Sequence, residues 1–153
     1  MRFVFAVFLC LGSLSLFAQI PIAPNKVNAL GNKIGEWVVL KDSLFSDTKD
    51  TSKAHYFRVI NYRNGIPRGL VRDFFINGTL QWEGRLISEN PDLNTGLCTW
   101  YYPSGGIQYT SVFEEGIANG PYRQYYESGN IFQTYSIING SIDGERRFYH
   151  ENG

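Results

Sequence analysis

Gly116–Gly140, GIANGPYRQYYESGNIFQTYSIING, is the stretch from which the rest of the chain can be read. With Gly120 as an anchor, an aromatic pair follows at Tyr125 and Tyr126, a glycine at Gly129 and an aliphatic residue at Ile131. The same offsets recur from Gly96 (Tyr101, Tyr102, Gly105, Ile107) and from Gly69 (Phe74, Phe75, Gly78, Leu80). From Gly144 they give Tyr149, His150 and Gly153. Gly65, Gly116 and Gly140 each stand four residues before an anchor, as Gly31 does before Gly35. The anchors are 24 residues apart from Gly96 to Gly120 and from Gly120 to Gly144, 27 from Gly69 to Gly96 and 34 from Gly35 to Gly69. Constant offsets with variable connections describe a tandem array in which insertions become loops.

Each unit reads as a β-hairpin. Glycine, often preceded by asparagine or serine, marks turns that need φ > 0: Asn64-Gly65, Asn77-Gly78, Ser104-Gly105, Asn119-Gly120, Ser128-Gly129, Asn139-Gly140 and Asn152-Gly153. The runs between them are rich in Tyr, Phe, Trp, Ile and Val, which suit a pleated, half-buried surface. Return strands alternate, as in Ile107, Tyr109, Ser111, Phe113 and in Ile131, Gln133, Tyr135, Ile137. No window carries a helical period. The expected fold is all-β: an elongated antiparallel meander of about ten strands, two per repeat, with units near 31–64, 65–95, 96–115, 116–139 and 140–153. The repeat framework is Gly35, Gly69, Gly78, Gly96, Gly105, Gly120, Gly129 and Gly144 with Phe74, Tyr101, Tyr125 and Tyr149.

The pattern G-x4-[FY]-[FY]-x-x-G-x-[IL], carried best by Gly96, Trp100, Tyr101, Tyr102, Gly105, Ile107, Gly120, Tyr125, Tyr126, Gly129 and Ile131, resembles the MORN repeat variant. That family includes bacterial proteins labelled YwqK-type antitoxins of toxin–antitoxin systems. The resemblance covers about residues 31–153 and implies an elongated, twisted antiparallel sheet used for protein or membrane-surface contacts; it does not imply an activity. The first unit departs from it: Gly35, Trp37 and Leu40 fit, but Leu44 stands where the second glycine belongs.

Residues 1–18, MRFVFAVFLCLGSLSLFA, read as a cleaved signal peptide: Arg2, an apolar run, then Ala18 before Gln19. The run is too short for a transmembrane span. Export to the periplasm or outside the cell is therefore expected. Residues 19–30, with Pro21 and Pro24, form an extended leader expected either to lie along the first hairpin or to space the domain from its anchor point. Cys10 falls in the signal segment, which leaves Cys98 as a buried apolar thiol and excludes a disulfide framework.

Lys plus Arg and Asp plus Glu each number 14. That neutrality, with export, argues against nucleic acid as a partner. The charge is nonetheless uneven: residues 26–85 hold ten basic and six acidic side chains, residues 89–153 three and eight. Surface scatter and a polarised rod that docks on a charged partner are both consistent with this. His55 and His150 have no partner at catalytic spacing, and no nucleophile elbow, zinc, redox, phosphate-loop or dinucleotide motif is present. Asp42, Asp47 and Asp50 lack the spacing and glycine of a calcium loop. No enzyme, cofactor or metal is predicted.

What remains is an interaction module. Adjacent strand residues face opposite ways, so one ring of each aromatic pair could form an exposed row. Phe75, Tyr102, Tyr126, Trp82 and Trp100 are the candidate binding face, with the polar 42–53 loop contributing. The leading reading is a protein-binding scaffold or adaptor at a bacterial envelope. A glycan-binding module with an aromatic ladder and a membrane-surface protein are the alternatives. Unit five ends where a return strand would begin, so self-association along that edge is a further expectation, opposed by Arg146, Arg147, His150 and Glu151.

Overall fold

A computed structural model describes residues 20–152; the segment read as a signal peptide lies outside the described residues. The strands are β1 (Lys26–Val27), β2 (Lys33–Lys41), β3 (Asp47–Thr48), β4 (Tyr56–Arg63), β5 (Ile66–Phe75), β6 (Leu80–Ser88), β7 (Leu93–Tyr101), β8 (Ile107–Glu114), β9 (Ile117–Tyr125), β10 (Ile131–Ile138) and β11 (Ser141–Phe148). They form one antiparallel sheet in which β1, β2 and β4 to β11 are neighbours in chain order, with β3 folded back on β2. This is the predicted hairpin meander.

Two kinds of turn alternate. Tight two-residue turns have both central residues at φ > 0: Asn64 and Gly65, Glu115 and Gly116, Asn139 and Gly140, the geometry that matches strand twist. Longer turns close with paired backbone hydrogen bonds. Tyr102 N donates to Gly106 O and Gly105 N to Tyr102 O, both at 2.8 Å, and the pattern repeats at Phe75–Thr79 and Tyr126–Asn130. Unit one makes the same turn, Asp42 N to Ser46 O at 2.9 Å and Phe45 N to Asp42 O at 3.1 Å. The left-handed residue is Phe45 (φ 63°), not Leu44. The extra residue in that hairpin moves the glycine position by one, and a phenylalanine occupies it at a strain of about 1–2 kcal/mol.

The anchor glycines are not turn residues. Gly35 pairs in regular register with Tyr62, but the other four lie where an outgoing strand sets three residues against one of its neighbour: Gly69–Val71 against Ile60, Gly96–Cys98 against Gly84, Asn119–Pro121 against Val112, and Gly144–Arg146 against Tyr135. Gly69 (φ 75°) and Gly120 (φ 132°) hold conformations that a side chain resists. Asn119-Gly120 is thus inside β9, a correction to its reading as a turn. A second irregularity adds one residue to the return strands β6, β8 and β10, at Gln81, Gln108 and Phe132. Bulges of this kind bend a strand and raise its twist. Repeated from the second unit onward, they turn one face of the sheet inward.

Cross-strand partners share a face, so the register identifies it. Ile60, Tyr62, Val71, Trp82, Leu86 and Cys98 form the inner core, with Trp37, Trp100 and Phe113 against it. Gly84 lacks a side chain for a reason of space: a Cβ there would lie 2.6 Å from both Cys98 Sγ and Trp82 Cζ2. The core belongs to the first three units, and every residue of β11 is exposed. On the outer face Phe57 stacks on Phe74 at 4.9 Å. The leader blunts the β2 edge. Asn25 Nδ2 donates to Val38 O at 3.0 Å, Asn25 Oδ1 accepts from Val38 N at 2.9 Å, and Trp37 Nε1 donates to Lys26 O at 3.1 Å.

Candidate interaction surface

The five residues read as a binding face are buried or partly buried and form no exposed row. Trp82 is 4% exposed: the gap at Gly84 lets its indole lie flat in the core, which corrects its assignment to a surface. Phe75 is partly buried against Tyr56, with ring centroids 5.7 Å apart. Tyr102 and Tyr126, also partly buried, act as stitches between units. Tyr102 Oη donates to Tyr125 O at 2.7 Å, and Tyr126 Oη donates to Tyr149 O at 2.9 Å. In both cases the acceptor is the first aromatic of the next unit's pair. The first members have their own contacts, Tyr101 Oη donating to Glu83 at 2.9 Å.

Trp100 belongs instead to a stack on the inner face that the pairs did not announce. Trp100–Tyr109, Tyr109–Tyr122 and Tyr122–Tyr135 follow at 4.4, 5.6 and 4.4 Å, with interplanar angles of 12°, 25° and 17°. Arg146 lies 5.4 Å over Tyr135 and closes the row. The rings cover one another's faces and leave edges and hydroxyls outward. Burial, and second to it a neighbouring tyrosine (Tyr122 for Tyr109, Tyr135 for Tyr122), pushes the Tyr109 and Tyr122 hydroxyls up to about 12.

Beside this stack lies a charged network. Arg58, 2% exposed, binds Asp73 bidentately at 2.7 and 2.8 Å. It also binds Asp92 at 3.0 and 2.6 Å and Glu89 at 3.1 Å. Glu89 accepts from Tyr62 Oη and lies 3.6 Å from Lys33 Nζ. Glu89 and Asp92 sit on the Glu89–Thr95 stretch, the three-residue expansion of the usual connection. Its role is to carry two carboxylates back over unit one. Burial drives the Asp73 carboxyl up and its Arg58 partner opposes that; the carboxylates keep Arg58 charged despite its burial. The 42–53 segment is held by its own acids: Asp42 Oδ1 accepts from Leu44 N and Ser46 N, and Asp50 Oδ1 from Ser52 N.

Several exposed aliphatic side chains lie along β5 to β10. Ile66, Leu70, Ile87, Leu97, Ile117 and Ile138 are between 43% and 61% exposed. Through β4–β6 they lie among exposed Arg63, Arg68, Arg72 and Arg85, of which Arg72 alone has an acidic partner among the described residues, Glu83 at 3.3 Å. They were missed because they fall outside the aromatic motif; the recurring aliphatic one residue after the anchor, Leu70 and Leu97, was the available signal.

Residues 94–115 and 118–139 each match the family model described as MORN repeat variant. No curated protein matches the chain. The matched segments are the units whose offsets are most regular, and each holds an anchor bulge, a stitched tyrosine and two rungs of the inner stack. Repeats of this family are non-catalytic and in general mediate protein or membrane interactions. This chain carries them in its third and fourth units, within a hairpin array of the same build.

Proposed function

We propose that the chain is an exported, non-enzymatic scaffold that binds a protein partner through its outer face, at a bacterial cell envelope. The observation that carries the reading is the set of half-exposed aliphatics Ile66, Leu70, Ile87, Leu97, Ile117 and Ile138 on β5, β6, β7, β9 and β10. Arginines at one end favour a partner segment that is acidic as well as apolar. The inner stack supports no ladder of bound sugars, because its ring faces meet one another. Export rests on residues 1–18.

The test has two parts. A tagged full chain is fractionated beside a version lacking residues 2–18; export predicts that only the former leaves the cytoplasm. Chain 19–153 is then crosslinked in an envelope extract beside a Leu97→Glu/Ile117→Glu variant of equal thermal stability. One dominant protein lost with the variant supports the reading. Equal capture by both baits, or binding only to anionic lipid vesicles, refutes it.

A further inference from the structure

Five rings form an unbroken file along the inner face: Trp82, Trp100, Tyr109, Tyr122 and Tyr135, with successive centroids at 6.2, 4.4, 5.6 and 4.4 Å. At these separations each ring touches the next. All five are of the oxidisable kind. The chain has 11 phenylalanines against 10 tyrosines and 3 tryptophans, yet no phenylalanine interrupts the file. Phe113 only flanks Trp100, at 6.0 Å, and the outer-face stack is Phe57 on Phe74. The two ends differ in their access to water. Trp82 is buried, and its Nε1–H meets no acceptor among the described residues. An indole so placed can lose an electron but has nowhere to send its proton. Tyr122 and Tyr135 are partly exposed, and a phenol there can release its proton to water.

We propose that the file carries oxidising equivalents out of the core, from Trp82 and Trp100 to the Tyr122–Tyr135 pair. A one-electron radical oxidant takes an electron from an indole. The indole recovers it from Tyr109, Tyr109 recovers it from Tyr122 or Tyr135, and that last phenol gives its proton to water. The net change is one electron to the oxidant, one proton to solvent and a neutral tyrosyl radical at the open end. A soluble reductant of the ascorbate or thiol class then returns an electron and a proton. The direction follows from two facts. A phenol that can shed its proton is oxidised more easily than an indole, and a positive charge left on a buried ring is costly. Contact sets the speed, because electron tunnelling falls steeply with the gap between rings. The path spares the centre of the core, where Cys98 Sγ and Trp82 Cζ2 flank the gap at Gly84, each 2.6 Å from where its Cβ would stand. This inference is independent of the outer-face partner, since the file lies on the opposite side of the sheet.

Pulse radiolysis tests it. Chain 19–153 carries Trp37→Phe, because Trp37 has a tyrosine neighbour of its own, Tyr62 at 5.9 Å. Azide radicals, which attack indole in preference to phenol, are generated at limiting dose, and the tryptophanyl and tyrosyl absorption bands are followed. The tyrosyl band should rise as the tryptophanyl band decays, at a rate independent of protein concentration. Nitroso spin-trap adducts, mapped by peptide mass spectrometry, should fall on Tyr122 or Tyr135. Tyr109→Phe keeps a ring of the same shape in the file but one too hard to oxidise. With an unchanged thermal melt, it should slow the transfer by roughly an order of magnitude or more and move the adducts off Tyr122 and Tyr135. A tryptophanyl band that decays only in proportion to protein concentration would overturn the proposal. So would adducts spread over the other tyrosines, or transfer as fast in Tyr109→Phe as in its parent.

Discussion

Replacing Arg58 by methionine tests how the array is held together. The guanidinium is buried and joins Asp73 of the next strand to Glu89 and Asp92 of the following connection. Its removal leaves Asp73, 2% exposed, as a buried carboxylate with no partner. Stranding a buried charge costs about 3–5 kcal/mol. At roughly 2–4 °C per kcal/mol for a domain of this size, the melting temperature falls by roughly 6–20 °C. Arg58→Met/Asp73→Leu removes charge and counter-charge together and should recover most of the loss, because paired apolar replacements are often neutral or better. Glu89 keeps Lys33 and Tyr62, and Asp92 is open enough to turn to water. Asp92→Asn, on the exposed rim, should cost under about 1 kcal/mol. Urea unfolding followed by tryptophan fluorescence reads all of these, with Trp82 5.9 Å from Arg58 as reporter. If Arg58→Met unfolds within about 1 kcal/mol of the parent, or the double variant is no more stable than the single, the reasoning about a buried, mutually compensated network is wrong.

Three further outcomes follow from the geometry. Gly84→Ala should cost about 1–3 kcal/mol by overpacking against Cys98 and Trp82, and Gly69→Ala, with open space but φ 75°, about 1–2 kcal/mol from backbone strain alone; pairing Gly84→Ala with Cys98→Ala should relieve only the first, in denaturant melts. Tyr102→Phe and Tyr126→Phe should each lose about 0.5–1.5 kcal/mol, and amide exchange should quicken around Tyr125 and Tyr149 respectively, the two acceptors. Alkali should destabilise the fold. Burial holds the Cys98 thiol up to about 11 and Tyr101, Tyr109 and Tyr122 up to about 12, above ordinary values of 9.0 and 10.0. The unfolded chain therefore loses these protons first, and stability present below pH 9 declines as pH rises toward 12. Melts across that range check the sign, and Cys98 should resist thiol reagents at pH 8 until the chain unfolds.

The hairpin meander was legible because the repeat offsets and β-rich runs are local facts about neighbouring residues: a glycine that must turn and an alternation of period two. The tight turns at Asn64-Gly65 and Asn139-Gly140 were readable for the same reason. The function of the anchor glycines was not. Gly69 and Gly96 repeat with the turns, but only strand pairing reveals three residues set against one. The candidate face failed on the same ground. Tyr102 and Tyr126 look alike as exposed or as stitched residues until the acceptor carbonyl of the next unit is in place.

By itself, the sequence determined that this is an all-β chain of hairpins with two regular MORN-variant units, because turn chemistry and strand alternation act over a few residues. Tertiary structure alone decided which face is inner, that Arg58 meets acids 31 and 34 residues away, and that Trp82 is core while Leu97 is surface. Those outcomes depend on the register and cumulative twist of successive bulges, and no short window of sequence encodes the sum.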